Sequence, residues 1–248
     1  MQGRSRLELL RFRNLSAFAE LVHGISDRSF GSVQRPDSPG RANLAAALGV
    51  PVQALVPTKQ VHRAEVVLVP SAAYGRWEEG HGADALISCT PGVYLLGFFA
   101  DCVPVLAYDP RQRAVGLAHA GWRGTLSGIA RRLVEAMTAA FGTRPADLRV
   151  GLGPAIGPCC YEVGEVVLAA LNGWEDAQGL LRPGRPGHAY LDLWEANCRV
   201  LLAAGVLREH VEVARLCTAC HPDRFFSFRG EGRLNGLFGA AIGLARGG

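Results

Sequence analysis

The chain has 248 residues, 49% of them hydrophobic and 19% charged, which supplies a sizeable core and excludes a disordered, collagen-like or coiled-coil protein. A formal net charge of +4, with no long run of one sign, leaves no electrostatic footprint for nucleic acid. Of the 26 basic residues only Lys59 is a lysine; GC-rich codon usage explains the bulk of that bias, but one retained ammonium can also mark a functional position.

The opening residues MQGRSRLELLRFRNL carry scattered charges, unlike a secretory signal. The apolar stretches 93–100 and 234–244 are too short or too glycine-rich to span a bilayer. A cytoplasmic protein without a membrane partner is expected. In a reducing compartment the seven cysteines, at 89, 102, 159, 160, 198, 217 and 220, are core residues, metal ligands or nucleophiles rather than a disulfide framework.

In chain order, RLELLRF (6–12) reads as a half-buried strand, and a short helix over 41–48 ends at Gly49, suited to a left-handed cap. QVHRAEVVLV (60–69) reads as a second half-buried strand. VYLLGFF (93–99), VPVLAYD (103–109) and AVGLAHA (114–120) are continuously apolar and predict buried strands. Thr125 is placed to cap a helix in which Leu126, Ile129, Leu133, Met137 and Ala140 recur at helical spacing, ending before Gly142. DLRVGL (147–152) is a further strand, and 165–172 and 193–204 are amphipathic helices. The glycine- and proline-rich stretches 31–40, 71–82 and 176–187 read as surface loops, not domain boundaries. Mixed strands and helices without strict βαβ repetition predict an α+β fold in one domain, residues 1–248.

Three constellations carry chemistry. GLGPAIGPCC (151–160) is glycine-rich, yet Pro154 and Pro158 remove two of the backbone donors that a dinucleotide loop needs. It reads as a rigid turn leading to Cys159, Cys160, Tyr161 and Glu162. CTACH (217–221) fits the C-x-x-C-H pattern of haem attachment, but no export signal is visible and the single internal methionine is committed to a core face. A zinc ribbon needs a second Cys/His pair, and none is evident along the chain. The third is dispersed: His62, Cys102 and His119 each lie at or near the end of an apolar run. Two imidazoles and one thiol suit zinc with an open fourth position; hydrogen-bonded structural histidines are the competing reading. Beside His119, the residues Gly121, Trp122, Arg123 and Gly124 predict a tight turn before a helix, where amides and the Arg123 fork favour an anion. A structural ion pair between Arg123 and Asp101 is the competing reading there.

TKQVH, GADALISCTPG, ADCVPVLAYDP, AGWRGTLSGI, GPAIGPCCYEVG and CTACHPDRFFSFR stand in the order found in the YfiH-like, laccase-domain family. The chain resembles that family from about residue 23 to 236. The resemblance implies mixed sheets in an αββα arrangement and a zinc held by His62, Cys102 and His119, with copper as the alternative metal. It also implies phosphorolysis of adenosine, inosine and methylthioadenosine to the base and ribose 1-phosphate, with phosphate as co-substrate, and an accompanying adenosine deaminase activity. Catalytic roles fall on His62, Cys102, His119 and Arg123, and substrate contacts on Lys59, Gln60, Asp101, Gly121 and Trp122. A monomer or weak homo-oligomer is expected, with purine nucleosides and phosphate as its partners. His81 has no role here, Asp84 is a reserve acid or base, and Cys220 and His221 are treated as incidental. The segment 24–40 is shorter than the family's usual loop, which leaves its substrate contacts undefined.

Three other classes compete. A copper polyphenol oxidase needs about ten copper ligands with H-x-H pairs, against seven histidines and no such pair here. A Cys-His hydrolase would use Cys102 as nucleophile with His119 or His62 as base. A nucleoside-binding module would release no product.

Overall fold

The computed structural model describes residues 7–62, 64–70, 82–174, 177 and 179–246. The first elements are α1 (Arg13–Ser16), β1 (Leu21–Ile25), α2 (Pro39–Leu48), β2 (Leu55–Pro57), β3 (Val66–Leu68) and β4 (Ala85–Ser88). The central run is β5 (Tyr94–Phe99), β6 (Val103–Asp109), β7 (Ala114–Ala120), α3 (Trp122–Leu126), α4 (Ile129–Phe141) and β8 (Arg149–Leu152). Then come β9 (Glu162–Val163), α5 (Glu165–Leu171), β10 (Leu181–Pro183), β11 (Ala189–Leu191), α6 (Leu193–Ala203), β12 (Val211–Val213), α7 (Phe228–Glu231) and β13 (Phe238–Leu244).

A six-stranded sheet of order β12-β8-β6-β7-β4-β3 faces a four-stranded sheet of order β1-β13-β5-β2; both mix parallel and antiparallel pairs. Strand side chains alternate between faces, and here each face meets a different core. On β6, Leu106 and Tyr108 point between the sheets while Val103, Val105 and Ala107 join Leu133 and Met137 of α4 in the outer layer. On β5, Leu95 and Phe99 point between the sheets, whereas Tyr94, Leu96 and Phe98 pack with Leu44 and Leu48 of α2. The layers are therefore helix, sheet, sheet, helix, as the family resemblance implied. A strand covered on both faces has no polar side to show, which is why 93–99, 103–109 and 114–120 read as unbroken apolar runs. No described helix is long and apolar enough to cross a membrane.

Three predicted elements differ. Residues 7–12 alternate as a strand would, Leu7 and Leu9 toward α2 and Leu10 and Phe12 toward the inter-sheet core. Pairing stops after the single Leu10–Ile25 bridge, because Arg11 donates instead to the His23 carbonyl at 2.8 Å and the Phe12 N–H to His23 Nε2 at 3.0 Å. The strand expected over 60–69 shrinks to β3, since His62 takes a left-handed φ of 57°. The helix expected to start at Thr125 is two: α3 begins at Trp122, and Gly128 (φ 75°) interrupts the helix before α4. Thr125 lies inside α3, and its hydroxyl accepts from Asn197 of α6 at 2.9 Å. Helix α2 is capped by Ser38 and closed by Gly49 (φ 72°). The loop expected over 71–82 lies, apart from Gly82, outside the described residues, as does His81.

Candidate metal centre and its cavity

Strands β5 and β6 belong to different sheets, and the three-residue corner between them, Ala100, Asp101 and Cys102, crosses from one sheet to the other. Cys102 therefore enters where the sheets part. His119 arrives beside it from the end of β7, opposite Pro104 in the antiparallel register. His62 comes from the irregular segment after β2, with its backbone N–H on Asp84 Oδ1 at 2.9 Å. Ligand atoms of His62, Cys102 and His119 lie within 4.8 Å of one another, and the two imidazole rings stand nearly perpendicular with centroids 5.0 Å apart.

Asp84 organises this trio. Its fully buried carboxylate lies 3.3 Å from His119 Nδ1, and its carbonyl accepts the His119 N–H at 2.7 Å. A donor hydrogen on Nδ1 leaves Nε2 as the nitrogen offered to a ligand, the arrangement found behind metal-binding histidines. Burial alone would depress the His119 pKa, but the negative charge of Cys102 and the bond to Asp84 overcome it and raise the group to about 9. The surroundings thus favour positive charge at that spot, whether a proton or a metal ion. His62 shifts the other way, lowered by burial and by the charge of His119, so it stays a neutral donor. A Cβ on Gly121 would come 2.9 Å from Cys102 Sγ; glycine leaves the sulfur its space. These donors fit a single zinc or copper ion with an open position.

The trio opens into a cavity of about 900 Å³, and all the residues predicted for catalysis and substrate contact line it: Lys59, Gln60, Asp101, Gly121, Trp122 and Arg123 surround the three ligands. Three details refine the sequence expectation. Strand alternation would turn Lys59 away from Gln60 and His62, but β2 ends at Pro57 and both Lys59 and Gln60 reach the cavity. Gln60 Nε2 donates to the Phe98 carbonyl at 2.7 Å. The predicted turn at 121–124 is the start of the five-residue helix α3, too short for a strong helix-end field, so Arg123 carries the anion-binding potential with its guanidinium 4.2 Å from the Trp122 ring centroid. Asp101 does not pair with Arg123: its carboxylate accepts from Thr218 Oγ1 at 2.7 Å, Ser227 Oγ at 2.6 Å and the Arg229 N–H at 2.7 Å.

Sequence reading missed the opposite wall, formed by Phe98, Tyr161, Phe228 and Arg229. Tyr161 and Arg229 stood in quoted motifs, CCYEVG and FFSFR, but nothing linear brings them together; in the fold Arg229 Nη1 donates to the Glu162 carbonyl at 2.8 Å and its guanidinium lies 4.9 Å from the Tyr161 ring centroid. Burial pushes the Tyr161 phenol up to about 12, so it remains a donor at neutral pH. Cys220, treated as incidental, also belongs to a group: it clusters with Cys159, Cys160 and Cys217. The second pair that CTACH lacked is supplied by the fold.

Residues 38–245 match the family model described as multi-copper polyphenol oxidoreductase laccase. Purine nucleoside phosphorylase YlmD of Geobacillus stearothermophilus is 40% identical over 210 residues, covering 82% of this chain and 77% of the relative. Adenosine deaminase RL5, from an unknown prokaryotic organism, is 34% identical over 203 residues, 79% of this chain and 77% of the relative. The crystal structure of YlmD from Geobacillus stearothermophilus superposes with a TM-score of 0.88 at 33% identity, over 99% of this chain and 98% of that one.

Proposed function

The chain belongs to the multi-copper polyphenol oxidoreductase laccase family, and from that premise we propose that it is a zinc-dependent purine nucleoside enzyme. It would cleave adenosine, inosine or methylthioadenosine with phosphate and also deaminate adenosine. Relatives bearing both activity names support the two halves of that reading. The observation that carries it is the convergence of His62, Cys102 and His119, aligned by Asp84, on a cavity that also holds Arg123.

The division of labour follows from the side chains. His62, Cys102 and His119 would hold the zinc, which would supply Lewis acidity at the cavity. Arg123, exposed but braced on Trp122, offers the fixed fork suited to phosphate, with Lys59 as a second cation at the same cavity. Phe98 and Tyr161 provide aromatic surface for a purine. The Tyr161 hydroxyl holds its proton and donates to a substrate acceptor. Asp101 serves from behind, holding the corner that presents Cys102.

The test is chromatography of adenosine incubated with the purified protein, with and without phosphate. Adenine with ribose 1-phosphate is expected in phosphate and inosine in its absence. Cys102→Ala is expected to lose the zinc of this site and to lower both rates by at least about 100-fold, the scale of losing one principal electrostatic contributor. Undiminished nucleoside turnover after that zinc is stripped removes the zinc reading. One observation favours a second reading: the Cys102 sulfur and a His119 ring nitrogen lie within 4.8 Å of each other, the pairing a Cys-His hydrolase needs. That alternative requires activity without metal and a covalent adduct on Cys102. Copper in place of zinc, with phenol oxidation, would restore the oxidase sense of the family's name.

A further inference from the structure

Away from His62, Cys102 and His119, four more thiols converge. Cys159 and Cys160 end the GPCC turn, and Cys217 and Cys220 belong to the CTAC turn that follows β12. The two segments lie side by side through a parallel bridge between Ala155 and Cys217, with the Thr218 N–H on the Ala155 carbonyl at 3.0 Å. Cys220 Sγ stands 3.5 Å from Cys159 Sγ and 3.4 Å from Cys160 Sγ, and all four sulfurs lie within 4.8 Å of one another.

Those separations suit a single tetrahedral metal ion. Four thiolates at about 2.3 Å from a tetrahedral zinc stand about 3.8 Å apart; the two Cys220 spacings fall a few tenths of an ångström short of that edge, and all pairs lie within 4.8 Å. A disulfide joins two sulfurs at about 2.0 Å and leaves the other pair unexplained; here Cys220 is shared almost equally between two neighbours. The thiolates of an iron–sulfur cluster bind different irons and do not crowd into one such sphere. At Cys217 the surroundings also suit a thiolate, because the Gly157 N–H donates to its Sγ at 3.2 Å. Two of the four, Cys159 and Cys220, are exposed, so apolar packing does not account for their approach.

We propose that Cys159, Cys160, Cys217 and Cys220 form a second metal site, a closed tetrathiolate zinc centre that fastens the GPCC turn to the CTAC turn. Four protein ligands leave no open position, so its role is structural. What it fastens is the cavity wall: Tyr161 follows Cys160 directly, and Thr218, between Cys217 and Cys220, donates to the Asp101 carboxylate beside Cys102. The inference does not depend on which reaction the cavity performs.

Elemental analysis of the wild-type protein, purified under reductant without added metal, is expected to give about two zinc ions per chain, one per ligand group. Cys102→Ala is expected to retain one, and Cys102→Ala/Cys220→Ser none. Cobalt loaded into Cys102→Ala reads the ligands directly, since the other site then has no sulfur: intense sulfur-to-cobalt charge transfer with tetrahedral visible bands supports the proposal. Cobalt or zinc absent from Cys102→Ala, a cobalt spectrum without sulfur charge transfer, or an inter-turn disulfide persisting under reductant overturns it. If Cys220→Ser does not fold, the Cys102→Ala spectrum decides alone.

Discussion

Asp84 holds two of the three candidate ligands at once, the His62 backbone through Oδ1 and the His119 ring through the same oxygen. Replacing it with Asn keeps an acceptor but removes the charge that fixes the His119 tautomer. Asp84→Asn is therefore expected to weaken zinc binding and lower kcat/KM each by about 10–100-fold, read by chelator competition and steady-state kinetics; unchanged values would show that His119 needs no such partner. A second buried imidazole makes a pH prediction. Burial and then Arg11 depress His23 from 6.5 to about 4, while its Nε2 accepts the Phe12 N–H. The unfolded chain takes up this proton more readily than the folded one, so the contribution is intact above pH 6.5 and drains away as pH falls toward about 4. The full loss is about 3 kcal/mol. His23→Gln, which keeps an acceptor, is expected to flatten the fall in Tm between about pH 7 and pH 4; equal slopes in the two proteins would exonerate His23. At this scale the sequence was informative where chemistry and strand ends coincide, as at His62, Cys102, His119 and Arg123. It was uninformative where a side chain acts through its neighbours, so Asp84 was recognised only as a spare acid, and Asp101 was offered a structural partner in Arg123 where the fold gives it Thr218, Ser227 and the Arg229 backbone.

Buried strands announced themselves because both faces of each sheet are covered, so β5, β6 and β7 needed no alternation to be found. Elements at margins were harder. Residues 7–12 have the period of a strand, yet side-chain bonds from Arg11 and to His23 displace the ladder. The split between α3 and α4 turns on the left-handed Gly128, which helical spacing of Leu126, Ile129 and Leu133 conceals. Glycines inside strands give a prediction that composition cannot. On β13, a Cβ at Gly243 would run into the Val93 carbonyl and the Tyr94 backbone at the start of the paired strand β5, neither of which can move without opening the sheet. On β7, the nearest atoms to a Cβ at Gly116 belong to the side chains of Leu133 and Met137, which yield more readily than backbone. Gly243→Ala is expected to cost about 2–3 kcal/mol and Gly116→Ala less than about 1 kcal/mol, measured by urea unfolding. Equal costs would mean that side-chain tips in the α4 layer are as fixed as backbone.

For the molecule as a whole, the layered architecture and the cavity have one origin, the corner where the chain leaves the four-stranded sheet for the six-stranded one. The layers could be inferred from motif order, because a family resemblance carries topology with it. The meeting of 98–102 with 161 and 217–229 could not, since those segments are far apart along the chain and no linear pattern links them. Asp101 sits at that meeting in a left-handed conformation, φ 95°, which a non-glycine residue adopts only when its surroundings compel it. Its carboxylate binds Thr218, Ser227 and the Arg229 backbone, so one side chain ties the corner bearing Cys102 to the wall bearing Arg229 and, through Thr218, to the cysteine turns. Two contributions can be separated by substitution. Asp101→Ala loses the hydrogen bonds and keeps the strain, and is expected to cost about 2–4 kcal/mol. Asp101→Gly loses the same bonds but relaxes the backbone, so it is expected to be about 1 kcal/mol more stable than the alanine variant, despite the greater freedom glycine gives the unfolded chain. Both variants are expected to lose activity together, because Cys102 and Arg229 are no longer held in common. If the alanine variant proves the more stable of the two, the conformation at Asp101 is not strained, and the hydrogen bonds alone join the two halves of the site.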